Sequence, residues 1–86
     1  MHKRKLLLVE KSPIDAELLS LSLQEEYEVA RAQDRRQGFA LLSRAHGGID
    51  LVLLDLTTQE SGGYEFLEQV RREPSLAQIP VIAVIR

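Results

Sequence analysis

The chain has 86 residues, of which 44% are hydrophobic and 28% charged, and a formal net charge of −2. This is ordinary globular composition for one small domain, which at such a length buries roughly 60 to 65% of the surface exposed by the unfolded chain. The charge gives no electrostatic case for nucleic-acid binding, and the lack of cysteine excludes disulfides and thiolate metal sites, in keeping with a reducing compartment.

Met1 to Lys5 is basic, but the apolar run behind it, Leu6–Val9, is shorter than the apolar core of a secretory signal. A cytoplasmic protein without membrane association is therefore expected. Leu6–Val9 reads as a first strand, with Lys3, Arg4 and Lys5 as a solvated lead-in. Ser12 then offers an N-cap, Pro13 suits the first helical position, and Asp15 places negative charge in the first turn, so a helix is expected to start at Pro13. Its apolar residues Ile14, Leu18 and Leu21, flanked by Leu19 and Leu23, read as one wide inward stripe. Tyr27–Ala32 alternates apolar and polar residues, the pattern of a strand near a sheet edge.

Asp34 can cap a second helix through Phe39, Leu41 and Leu42, ending at Gly47 and Gly48. Ile49–Leu56, IDLVLLDL, is apolar, of strand length, and carries an acid near each end. It reads as a central parallel strand buried on both faces. Asp55 then stands where the strand leaves the sheet, the end at which open α/β sheets bind ligands, although a strand-end aspartate can also simply cap the next turn. The polar loop after it contains Gly62 and Gly63, read as turn residues, and a third helix is expected from about Tyr64 to Arg72, with Phe66, Leu67 and Val70 inward and Pro74 ending it. Ile79–Ile85 reads as a last strand buried on both faces, with Pro80 tolerable only near its start. The βαβαβαβ order folds into a parallel sheet with helices on both sides, an α/β doubly wound domain spanning 1–86. His2 and His46 have no second histidine at ligand spacing, and Arg35-Arg36 reads as a solvated helix face.

The combination LLLVEKSPID, YEVARAQD, IDLVLLDL with Gly63 eight residues beyond Asp55, YEFLEQVR and IPVIAVI resembles the receiver domain of two-component response regulators. The resemblance covers nearly the whole chain. It implies the flavodoxin-like fold with strand order 2-1-3-4, the first four of the family's five strands, with the last helix-strand-helix portion expected beyond Arg86. It further implies that Asp55 accepts a phosphoryl group from a histidine kinase or phosphotransfer protein to regulate an output domain in a longer parent chain, and that the chain is a signalling module and not an enzyme. Magnesium is the implied cofactor, held by Glu10, Asp55 and the backbone carbonyl of Thr57.

Four residues at three sites depart from the family pattern. Lys11 stands where the family has a second acid, Ile85 stands where it has a Thr or Ser that contacts the phosphoryl group, and Thr58-Gln59 replaces the usual Met-Pro. These departures imply a weakened magnesium site, and they keep open the alternative of a pseudo-receiver acting as a phosphorylation-independent interaction or dimerisation module. The apolar edge of the last strand leads to the expectation of a homo-oligomer.

Overall fold

Strands and helices alternate along the chain in the computed structural model, which describes residues 3–45, 47–56 and 62–85. Strands β1 (Arg4–Val9), β2 (Tyr27–Ala32), β3 (Leu51–Asp55) and β4 (Val81–Val84) form one sheet in the order β2-β1-β3-β4. All neighbouring strands are parallel, with Leu7 of β1 beside Ala30 of β2 and Val52 of β3, and Leu54 of β3 beside Ala83 of β4. Each crossover carries a helix: α1 (Pro13–Leu23), α2 (Arg35–Arg44) and α3 (Gly62–Arg72). Among the described residues no helix is long and apolar enough to cross a membrane.

Side chains alternate across each strand and so feed two cores. Leu7, Val9, Val52 and Leu54 pack beneath α2 and α3 with Leu42, Phe66 and Val70. Leu6 and Leu8 point to the other face, where they meet Ala16, Leu19 and Leu23 of α1. Close approach on the first face depends on Gly38, where a Cβ would come within 3.1 Å of the Phe66 ring and 3.2 Å of Val9. The Arg35–Glu65 ion pair links α2 to α3 at the surface, a position where such pairs contribute little.

Both caps lie where the sequence places them. The Ser12 hydroxyl accepts from the Asp15 N–H at 3.3 Å, and the Asp34 carboxylate accepts from the Gln37 N–H at 2.8 Å. Helix α2 stops at Arg44, short of the expected glycine end, and Gly47 lies beyond it at φ 83°, a left-handed conformation that glycine adopts without strain.

Five readings are corrected. Arg4 and Lys5 are paired strand residues of β1 and not a lead-in, because parallel pairing continues to Tyr27 and Glu28. Gly62 and Gly63 form the first turn of α3 and not a loop. Ile14, Leu18 and Leu21 do not form the inward stripe of α1; Leu18 is 58% exposed, and the face toward the sheet is Ala16, Leu19 and Leu23. Leu18, Leu19, Leu21 and Leu23 fall on more than one side of this helix, so the spacing of its apolar residues does not by itself fix the rotation. Strand β3 is buried throughout on the α2–α3 side, while on the α1 side Leu51 and Leu53 are part-covered and Asp55 is buried. Strand β4 is not buried on both faces either: Ile82, in register with Leu53, is 51% exposed, because α1 rests on β1 and β2 and leaves this strip bare.

The two leucine environments predict different mutational costs. Leu8→Ala, within the fully buried set, should lower stability by about 2–5 kcal/mol, whereas Leu18→Gln should change it by no more than about 0.5 kcal/mol. Urea unfolding of the two variants measures the contrast.

Candidate functional site

The site is assembled by register. Val9 of β1 lies beside Leu54 of β3, so the next residue on each strand, Glu10 and Asp55, brings two carboxylates to the carboxyl ends of the two central strands. Glu10 is 1% exposed and Asp55 2%. They are the buried acidic residues of the described chain, and period-2 alternation places both on the side of the sheet that carries α1.

Each is held by its own strand pair. The Glu10 N–H donates to Ala32 O at 2.9 Å, which extends the β1–β2 ladder by one bond, while Glu10 Oε2 accepts from the Ser12 N–H at 3.1 Å. Ser12 therefore has two roles: its hydroxyl caps α1 and its N–H orients the Glu10 carboxylate. Only the first was legible from the sequence, because the second depends on the turn bringing the N–H back toward Glu10. Asp55 is the last residue of β3, in register with Val84, and the following Leu56 N–H donates to Val84 O at 2.9 Å. Neither acid sits at a fraying end.

Two buried carboxylates one strand apart repel each other, and burial raises the cost of each charge unless a cation or hydrogen bonds offset it. Magnesium suits such a pair, since it takes oxygen ligands, usually one or two carboxylates completed by water and phosphate oxygens. The pair fits that use. Among the described residues no group of three or more acidic or histidine side chains could hold a metal ion, so of the described side chains it is this pair that would contribute ligands. Thr57, expected to add a carbonyl, lies outside the described residues, as do Thr58, Gln59, His2 and His46.

Two of the positions that break the expected pattern, Lys11 and Ile85, lie just beyond the carboxyl ends of strands β1 and β4 at this edge of the sheet. Lys11 directly follows Glu10 in the exposed turn that leads into α1. Ile85 lies one residue beyond Val84, the register partner of Asp55, and is 73% exposed. The surface grooves between α2 and α3 (Arg35, Phe39, Glu65, Arg72) and along the β2 edge (Lys3, Tyr27, Arg31) are lined by other residues.

Comparison with known proteins places these features in a family. The model of the response regulator receiver domain matches residues 6–85. A probable cyclic di-GMP phosphodiesterase of Vibrio cholerae is 35% identical over 77 residues, covering 90% of this chain and 17% of that protein. The DNA-binding dual master transcriptional regulator RpaA of Synechocystis is 30% identical over 79 residues, covering 91% of this chain and 32% of that protein. The chain thus spans less than a third of the curated relatives it matches. Among solved structures, the bacteriophytochrome response regulator AtBRR superposes with a TM-score of 0.82 at 32% identity, over 99% of this chain and 68% of that one. The chemotaxis response regulator CheY4 of Vibrio cholerae gives 0.84 at 28% identity, over 95% and 68%.

The crowding of like charges has a measurable consequence. In chelator, Asp55→Asn should raise the stability of the domain by on the order of 1 kcal/mol, because a neutral amide relieves repulsion from Glu10. Denaturant unfolding of the variant and the parent, without divalent cations, tests it.

Proposed function

The chain belongs to the response regulator receiver domain family, and from that premise we propose that Asp55 is its phosphoacceptor. What supports this is the placement of Asp55: a buried carboxylate at the carboxyl end of a central strand, beside a second buried carboxylate. An ionised Asp55 oxygen attacks the phosphorus of a phosphohistidine on a histidine kinase or phosphotransfer protein. A P–O bond forms as the P–N bond breaks, the electron pair of that bond returns to the imidazole nitrogen, and Asp55 becomes an acyl phosphate.

Phosphoryl transfer gains mainly from positioning and from neutralising charge on the transferring oxygens. Magnesium, when bound, supplies that neutralisation. The role of Glu10 is to hold the cation, with its carboxylate oriented by the Ser12 N–H. Ile85 carries no hydroxyl to donate to a phosphoryl oxygen, so in this domain the signal that Asp55 is modified passes without that hydrogen bond.

The domain acts as a signalling module and not as an enzyme in its own right. The curated relatives carry much more chain than this one matches, and one is named as a phosphodiesterase, the other as a DNA-binding regulator. By analogy, the output of this receiver lies in a longer parent chain. The isolated domain also self-associates, through the bare strip of Leu51, Leu53 and Ile82 and the unpaired β4 edge, which resembles the kind of apolar surface that dimers cover.

Incubation with a small phosphodonor and magnesium should raise the intact mass by one phosphoryl group, and Asp55→Asn should abolish the gain. An unmodified parent protein would sink the acceptor reading and favour a phosphorylation-independent interaction module, which Lys11 and Ile85 would suit. Light scattering of the 86-residue chain at high concentration should give a dimer mass, and Ile82→Lys should return it to a monomer.

A further inference from the structure

We propose that Lys11 is a tethered cation that competes with magnesium for the Glu10–Asp55 carboxylate pair, so that this receiver binds the metal weakly and has a metal-free state already supplied with positive charge. The proposal rests on the reading of Glu10 and Asp55 as the metal-holding pair. It goes beyond that reading by assigning a function to a residue that is foreign to such a site.

The argument starts from placement. Glu10 and Asp55 are both almost fully buried and lie side by side at the ends of β1 and β3. Burying two like charges on neighbouring strands is unfavourable unless positive charge or hydrogen bonds lie close by. Lys11 is the next residue after Glu10, and the turn that carries it is pinned on both sides: Glu10 N–H bonds Ala32 O, Ser12 N–H bonds Glu10 Oε2, and α1 begins at Pro13. The backbone of Lys11 therefore stays at the rim of the pair. Its four-carbon stem is flexible and carries a compact point charge, so the ammonium can reach the carboxylates without any movement of the main chain.

Several other basic side chains are engaged away from the pair. Arg31 pairs with Glu17, Arg35 with Glu65 and Lys5 with Glu28, while Lys3 donates to Gln24 O at the far end of the sheet. Lys11 directly follows Glu10 and so stands at the β1–α1 turn beside the pair. An ammonium and a hydrated divalent ion seek the same carboxylate oxygens, and each excludes the other. A tethered ligand of this kind reduces the apparent affinity of its competitor by the fraction of time it occupies the site. The ammonium cannot replace magnesium in catalysis, because it provides no ligand positions for phosphoryl oxygens.

The test is a magnesium titration, followed calorimetrically, of the parent chain, Lys11→Gln and Lys3→Gln, the last being an equal loss of charge far from the site. Lys11→Gln should bind magnesium about five- to tenfold more tightly than the parent, and Lys3→Gln should match the parent. In chelator, Lys11→Gln should melt at a lower temperature than the parent, and magnesium should restore the loss. Equal affinities in the parent and Lys11→Gln, equal tightening in both variants, or no magnesium binding by any of the three would overturn the proposal. Failure here is separable from failure of the acceptor reading: mass gain on Asp55 with equal magnesium affinities sinks only the role of Lys11, and tighter binding by Lys11→Gln without mass gain sinks only the acceptor.

Discussion

The in-register parallel pairing of β1 with β3 is the constraint on which the rest of the molecule depends. Leu6 to Val9 face Leu51 to Leu54 one for one. A shift by one residue would send Leu7 and Val9 to the α1 side, exchanging the two cores and separating Glu10 from Asp55. The same apolar packing that drives folding therefore also sets the distance between the two acids. No hydrogen bond between side chains is needed to align them, because the sheet ladder does so.

Around this pairing the helices have unequal tasks. Helices α2 and α3 close one face, with Gly38 giving up a side chain so that Phe66 and Val9 can meet. Helix α1 covers less, and its value to the site is in how it begins. The turn Glu10-Lys11-Ser12 engages Ser12 within a few residues, its hydroxyl and carbonyl on the helix and its N–H on Glu10. A buried carboxylate and a capped helix thus come from one short turn, and any change to that turn disturbs the carboxylate and the helix start together.

Much of the fold was legible in the sequence where local chemistry has a single solution. Ser12 before Pro13 and Asp34 before Arg35 can do little other than start helices, and the run of Leu51 to Leu54 has no polar residue to suggest a surface. The site was legible as far as Asp55 and Glu10, because strand ends can be counted from apolar runs. What could not be read depends on partners distant in the chain. The rotation of α1 is hidden because leucines surround the helix, so periodicity cannot say that Leu19 and not Leu18 points inward. Exposure of Ile82 is hidden as well, since an apolar strand looks the same whether or not a helix lies over it. Gly62 and Gly63 read as a turn because glycine is a poor helix former, yet the helix begins with them.

The two edges of the sheet differ in kind. Strand β2 presents Glu28 and Arg31 at its rim, engaged with Lys5 and Glu17, so its outer edge is dressed with charge and a joining strand would have to strip those pairs away. Strand β4 presents Val, Ile, Ala and Val with no charge at all. Head-to-tail stacking of one molecule's β4 on the next molecule's β2, the geometry that propagates into an open filament, meets a charged edge at every step. Joining β4 to β4 about a two-fold axis meets none and closes after two copies. The two edges of the described sheet are thus chemically unequal, one dressed with paired charges and the other wholly apolar.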